Sequence, residues 1–203
     1  MLFPRVRTPL HVFEPRYRQM TESALAGDRR IVMAVVLPDH AGDVASDPPV
    51  YDVACSGVIS EARRLPDGRF YLLLDGDYRV RIVEEVARPP GQLFRSANVR
   101  RLADPYPPAA AGEIATMRAR LSTLVGEVIA DDESPDPLGA VRDIDDASFV
   151  NALANALPLS VAEKQGLIEA DGIPERYSRL IEILEFARAE RLTRRVPNSS
   201  VLH

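Results

Sequence analysis

The chain has 203 residues, 46% of them apolar and 27% charged, which gives enough apolar surface to bury a core without cross-links and excludes a chain disordered throughout. Its 25 basic against 30 acidic residues leave a net charge of −5, which argues against a protein held to nucleic acid chiefly by a basic footprint. The balance is uneven, with 15 arginines against 14 carboxylates in residues 1–105 and 10 basic against 16 acidic residues in 106–203.

In chain order, Leu10 to Phe13 reads as a short strand that stops at Glu14-Pro15. Proline suits the first turn of a helix, because the N–H it lacks has no partner there. A helix is therefore predicted from Pro15, with Tyr17, Met20, Ala24 and Leu25 on one stripe and Gly27 as its stop. Arg30 to Leu37 is an apolar, β-branched run that reads as a strand buried on both faces, and Asp39 to Pro49 reads as a mobile surface loop.

Val50 to Leu102 has the pattern of a meander. Val53, Cys55, Gly57 and Ile59 alternate, Pro66-Asp67-Gly68 makes a turn, Phe70, Leu72 and Leu74 alternate, and Asp75-Gly76 offers a second turn or a bulge. Tyr78, Val80 and Ile82 then alternate with Arg79 and Arg81, which predicts a strand whose arginines lie on the wet face. Antiparallel strands at this spacing suggest a small closed or partly closed barrel. Cys55, the only cysteine, falls on the apolar side of its strand and is expected in the core.

Asp104-Pro105-Tyr106-Pro107-Pro108 cannot continue a sheet interior, so a boundary is placed there. Ile114, Met117, Leu121, Leu124, Val125, Val128 and Ile129 recur at helical spacing. The acidic stretch Asp131 to Asp146 holds Pro135, Pro137 and Gly139 and is read as an exposed connection. Three helices are expected after it, over residues 146–157, 160–170 and 174–195, the middle one opened by a Ser160/Glu163 capping box, and Val196 to His203 is expected to fray.

The inventory of reactive side chains is thin. Lys164 is the only lysine; it sits between Glu163 and Gln165, so neither a phosphate-cradling Gly-Lys-Ser/Thr loop nor a Ser-Lys dyad can be drawn. Of the three histidines, His40 lies in the expected loop, His203 at the end, and His11 alone on a strand, where a packed or surface role is the ordinary one. One thiol cannot make a Cys/His zinc set, and neither Asp131-Asp132-Glu133 nor Asp143-Asp145-Asp146 matches a calcium loop. No cofactor, no metal and no catalytic residue is expected. The start of the chain shows no basic-then-apolar leader and no run approaches a membrane span, so a cytoplasmic protein is expected.

Three stretches carry a likeness. Leu2 to Met20, with Phe13-Glu14-Pro15-Arg16-Tyr17 entering the first helix, resembles the opening of the Lon protease N-terminal domain. Leu65 to Ile82, with Gly76 followed three residues later by Arg79, resembles that family's central hairpin. Leu157 to Leu184, with Lys164, Gln165, Leu167, Glu169 and Arg176, resembles its helical half. Two departures are visible: the family has an apolar strand before Leu-Phe-Pro, and it tends to have glycine where this chain has Arg5.

The resemblance implies an α+β fold, with a PUA-like β-barrel subdomain containing one helix over residues 1–104 and an α-helical bundle over 105–203. It implies a non-catalytic module that recognises unfolded or extended polypeptide or a protein partner. The candidate peptide-contacting residues are Phe13, Glu14, Arg16, Tyr17, Gly76 and Arg79; the alternative for them is structural, with Phe13 and Tyr17 in the core and Glu14 paired with Arg79. An RNA-binding PUA-like protein and a scaffold module are the other readings. Either the true start of the chain lies upstream of Met1 or the barrel lacks that strand; a missing strand would leave an open barrel edge, a route to homo-oligomers.

Overall fold

The computed structural model describes residues 1–40, 42, 47–129 and 138–195. Asp131-Asp132-Glu133, Pro135, Pro137, the tail Val196 to His203 and much of the expected Asp39–Pro49 loop lie outside the described residues. The chain divides into two compact units: Met1–Asp104 with Asn151–Glu169, and Pro105–Val150 with the described residues from Ala170 on.

The first unit holds β1 (Arg7–Val12), α1 (Pro15–Ala26), β2 (Arg30–Met33), β3 (Val53–Arg64), β4 (Phe70–Val86) and β5 (Ser96–Arg101). The sheet is antiparallel in the order β1-β4-β3-β2. β5 shares an edge of β4 with β1, which pairs with Phe70–Asp75 while β5 pairs with Val80–Val86. The expected barrel is corrected here, because the sheet is open. β2 is only four residues long, pairs with β3 alone, and among the described residues no ladder joins it to β5 or β1. The run from Arg30 is likewise shorter than expected and is not buried on both faces, since only Ile31 of β2 is buried.

Two glycines facing each other in the β3–β4 ladder, Gly57 and Gly76, mark the bulge that the sequence offered at Asp75-Gly76. Tyr78 pairs with Ser56 and Gly76 with Gly57, so Asp77 is an extra residue on β4. An extra residue reverses the alternation downstream, and Arg79, expected on the wet face, is only 2% exposed. Into the room the glycines leave, the start of the chain folds: Arg5 N–H donates to the Gly76 carbonyl (2.7 Å), Gly76 N–H to that of Val6 (2.9 Å), and Leu2 and Phe3 are completely buried. Arg5, where the resembling family tends to have glycine, takes a φ of 63°, in the left-handed region that glycine enters most easily.

Pro15 opens α1 and Gly27 closes it, its N–H reaching the Ala24 carbonyl at 3.1 Å. Two further helices are α2 (Ala111–Ile129) and α3 (Asp146–Ala156), followed by α4 (Val161–Glu169) and α5 (Ile173–Arg195). α4 and the second half of α3 cluster with the sheet and not with the other helices. Polar side chains tie them there: Gln165 Nε2 donates to the Val53 carbonyl (3.0 Å) and Asn151 Nδ2 to that of Pro4 (2.9 Å).

The capping box of α4 forms as its spacing predicts, with Glu163 Oε2 accepting from Ser160 N–H (2.7 Å) and Ser160 Oγ from Glu163 N–H (3.2 Å). Ser160→Ala is expected to cost about 1 kcal/mol of stability, measured as a lower urea midpoint with an unchanged slope.

In the second unit α2 packs on α5, burying Ile114, Leu121, Leu124 and Val125 together with Ile173, Tyr177, Leu180 and Leu184. Asp146 ties its start to the helices: it accepts from Arg118 Nη1 and Tyr106 Oη, both at 2.8 Å, and its backbone carbonyl accepts from Tyr177 Oη at 3.0 Å. Burial pushes the Tyr177 hydroxyl pKa up. Asp145 caps α3 through Ser148. These carboxylates are engaged in holding the fold, and among the described residues no group of His, Cys, Asp and Glu is placed to hold a metal ion.

Candidate functional site

The open seam of the sheet is a cleft of about 580 Å³ within the first unit. One wall is a face of α1 and its C-terminal stop, carrying Arg16, Tyr17, Met20, Ser23, Ala24 and Gly27 at intervals of one or three residues, the spacing of a helix stripe. A second wall is the edge of β2 and the chain beyond it, and a third is Leu93 to Ala97 with Val99 at the edge of β5. Apolar side chains dominate the lining, among them Met20, Ile31, Val36, Val50, Ile82 and Phe94.

The charged side chains of the cleft are engaged with one another or with neighbours. Arg16 pairs with Glu14 (2.9 Å), Arg30 with Asp77 (2.8 Å), Arg88 with Asp47, and Arg95 with Glu85. Asp28 Oδ1 accepts the Arg30 N–H (3.1 Å). The hydrogen bonds from Arg95 hold the Glu85 carboxyl below the usual carboxylate range, so the pair keeps its charges until well into acid. The third wall is strapped to α1 by Gln19, whose Nε2 donates to the Gly91 carbonyl (2.9 Å) and whose Oε1 accepts from Leu93 N–H (2.7 Å).

The residues named from sequence are distributed unevenly around this cleft. Arg16 and Tyr17 line it, with the Arg16 guanidinium 4.5 Å over the Tyr17 ring. Glu14 stands at the mouth of α1 as the partner of Arg16, and the expected Glu14–Arg79 pair does not form, because Arg79 Nε faces Asp104 at 3.5 Å. Phe13 is 59% exposed and lies off the cleft, its ring 5.9 Å from His11, which stacks on Tyr71. Tyr17, at 37% exposure, is not a core residue. Gly76 and Arg79 are buried and serve the chain's own packing. Lys164 donates to the Asn155 carbonyl at 2.6 Å, and burial lowers its pKa.

The apolar part of the lining, including Met20, Ile82, Leu93, Phe94 and Val99, carries no signature in the sequence beyond being apolar.

A family model described as the ATP-dependent protease La (LON) substrate-binding domain matches residues 1–185. The chain belongs to this family. Over 190 residues the LON substrate-binding chain is 30% identical to Lon protease 2 of Herpetosiphon aurantiacus, covering 91% of itself and 22% of that protein. It is 25% identical to the Lon protease of Flavobacterium johnsoniae over 195 residues, covering 94% of itself and 23% of the relative. It thus spans about a fifth of the length of the proteases it matches.

Among solved structures it is similar to the N-terminal domain of the Mycobacterium avium complex Lon protease, with a TM-score of 0.69 at 19% identity, covering 91% of this chain and 92% of that one. The crystal structure of a Lon N-terminal domain protein from Xanthomonas campestris aligns with a TM-score of 0.55 at 22% identity, with the same coverage. These two likenesses concern the fold. Among the described residues no helix is long and apolar enough to cross a membrane.

Proposed function

We propose that this LON substrate-binding domain acts by binding alone, holding extended or unfolded segments of other polypeptides in the α1–β2–β5 cleft. The observation that carries the reading is the cleft itself, apolar in most of its lining and with each of its arginines paired to a carboxylate, in a chain whose family is a substrate-binding domain. Unfolded chain exposes apolar side chains that folded proteins bury, and an apolar cleft discriminates on that basis without demanding a sequence. Arg16 and Tyr17 are the sequence-named residues placed to touch such a segment; Phe13 and Glu14 flank the entrance of α1. The chain is proposed to be cytoplasmic, where unfolded polypeptide is its partner.

Nothing in the cleft favours RNA. Its arginines are each paired with a carboxylate, so phosphate would have to displace an existing partner. The test is binding of reduced, alkylated lysozyme against native lysozyme at two salt concentrations. Preferential binding of the alkylated chain with little salt dependence is expected, and equal binding of the two forms would remove the proposal. Met20→Glu places an unpaired carboxylate in the apolar wall and is expected to weaken that binding about tenfold or more, read by fluorescence anisotropy.

A further inference from the structure

The cleft lies on the edge of β2. On the face of a strand, residues line a cavity at every second position, whereas Arg30, Ile31 and Val32 line this one in succession, followed by Ala34 and Val36. The hydrogen bonding fixes which backbone groups look into it. Ile59 N–H donates to the Arg29 carbonyl at 2.8 Å, and the β2–β3 register then runs Arg30 against Val58 and Ile31 against Gly57.

In an antiparallel ladder, bonded and non-bonded pairs alternate. Ile31 and Met33 therefore bond to β3, and Arg30 and Val32 turn their N–H and C=O away from it. Beyond β2, Tyr51 N–H donates to the Val35 carbonyl (2.8 Å) and Leu37 N–H to that of Pro49 (3.0 Å), so residues 35 and 37 face inward and Ala34 and Val36 face out. The Arg30 N–H is taken by Asp28. Among the described residues no hydrogen bond reaches the backbone of Val32, Ala34 or Val36 from the cleft side.

Building on the binding role proposed for this cleft, we infer that a bound segment enters it as an added strand, hydrogen-bonding to the outward backbone of Val32, Ala34 and Val36. β1, one of the two strands at the opposite end of the sheet, lacks this capacity to the same degree, because Pro9 has no N–H to offer and breaks its row of donors.

The occupant is a stretch of another polypeptide, extended, proline-free at alternate positions, and uncharged. The arginines of the lining are each paired with a carboxylate, Asp47 with Arg88, and Asp28 accepts a backbone N–H, so an added charge competes with an existing partner, whereas apolar or β-branched side chains find Met20, Val50, Ile82 and Phe94. Three outward residues ask for a segment of about five, since successive bonded positions in a strand are two residues apart. Side chains then act as a filter on top of backbone pairing, which is why recognition would be broad.

The experiment uses a soluble, labelled octapeptide alternating valine and threonine, alongside the alkylated lysozyme of the preceding test. Two modified octapeptides accompany it, one N-methylated along a single edge and one along both. The unmodified and single-edge peptides are expected to bind alike, while methylation of both edges weakens binding about tenfold or more. Val32→Pro, which removes an outward N–H and no bond to β3, is expected to weaken binding of the octapeptide and of alkylated lysozyme with its urea midpoint near that of the parent. Equal binding of the doubly methylated peptide overturns strand addition while the cleft reading stands. So does alkylated lysozyme binding without any octapeptide binding. If neither probe binds, both inferences fall.

Discussion

Replacing Arg79 with leucine is expected to cost about 3–5 kcal/mol, the range for removing one partner of a buried charged network. The guanidinium donates to the Ile168 carbonyl at 3.1 Å and to the Ala103 carbonyl at 2.5 Å, with Nε 3.5 Å from Asp104 Oδ1. Ile168 belongs to the last turn of α4, where carbonyls lack helical donors and the helix dipole favours a cation. Leucine fills part of the volume but leaves both carbonyls without this donor and Asp104 without this cation. Arg79→Lys keeps the charge on a single nitrogen that cannot serve two diverging carbonyls and a carboxylate together, so it is expected to recover only part of the loss. Chemical denaturation gives the magnitude, and hydrogen exchange should show α4 amides losing protection before those of β3 and β4. A leucine variant within 1 kcal/mol of the parent would contradict the role assigned to this arginine.

What the sequence made legible were features whose cause is local. Pro15 and Gly27 bound α1, and Ser160 with Glu163 opens α4, because proline geometry and a capping box act within one turn of chain. The alternation of Phe70, Leu72 and Leu74 survived for the same reason, and all three are buried. Arg79 was misplaced because the alternation of Tyr78, Val80 and Ile82 with the arginines implies one buried face, whereas Val80 and Arg79 are both buried. The extra residue at Asp77, which turns Arg79 to the face of Leu74, is defined only by pairing with Ser56 and Gly57 about twenty residues earlier. Closure failed for a related reason. Whether β2 meets β5 depends on the edges of strands far apart in sequence, and the strand counts that suggest a barrel are equally satisfied by an open sheet. The candidate site inherits that dependence, since its walls are separate segments brought together by the seam; a motif reading could reach only Arg16 and Tyr17, whose helix happens to form one wall.

Gly76→Ala is expected to be nearly as damaging as loss of Arg79, although it adds a single methyl group. A β-carbon at position 76 would stand 2.0 Å from the Phe3 carbonyl oxygen and 2.9 Å from its carbon. The obstacle is backbone, and that backbone is fixed on both sides by Arg5 N–H on the Gly76 carbonyl and by Gly76 N–H on the Val6 carbonyl. Relief requires the opening segment to lift off, exposing Leu2 and Phe3, each now wholly buried. Burial of such side chains is worth about 1.5–3 kcal/mol apiece, so a loss of roughly 3 kcal/mol or more is expected even if the segment re-seats in part. Gly126→Ala supplies the contrast: it lies inside α2, a methyl group added there would meet nothing within 4 Å, and a helix interior favours alanine over glycine by about 1 kcal/mol. Opposite shifts of the urea midpoint are therefore expected for the same chemical change at two glycines, with new proteolytic sensitivity near the N-terminus only for Gly76→Ala. Equal shifts would mean that the start of the chain does not dock on β4 in this way, and the Leu2–Met20 motif would need another explanation than the room that Gly76 leaves.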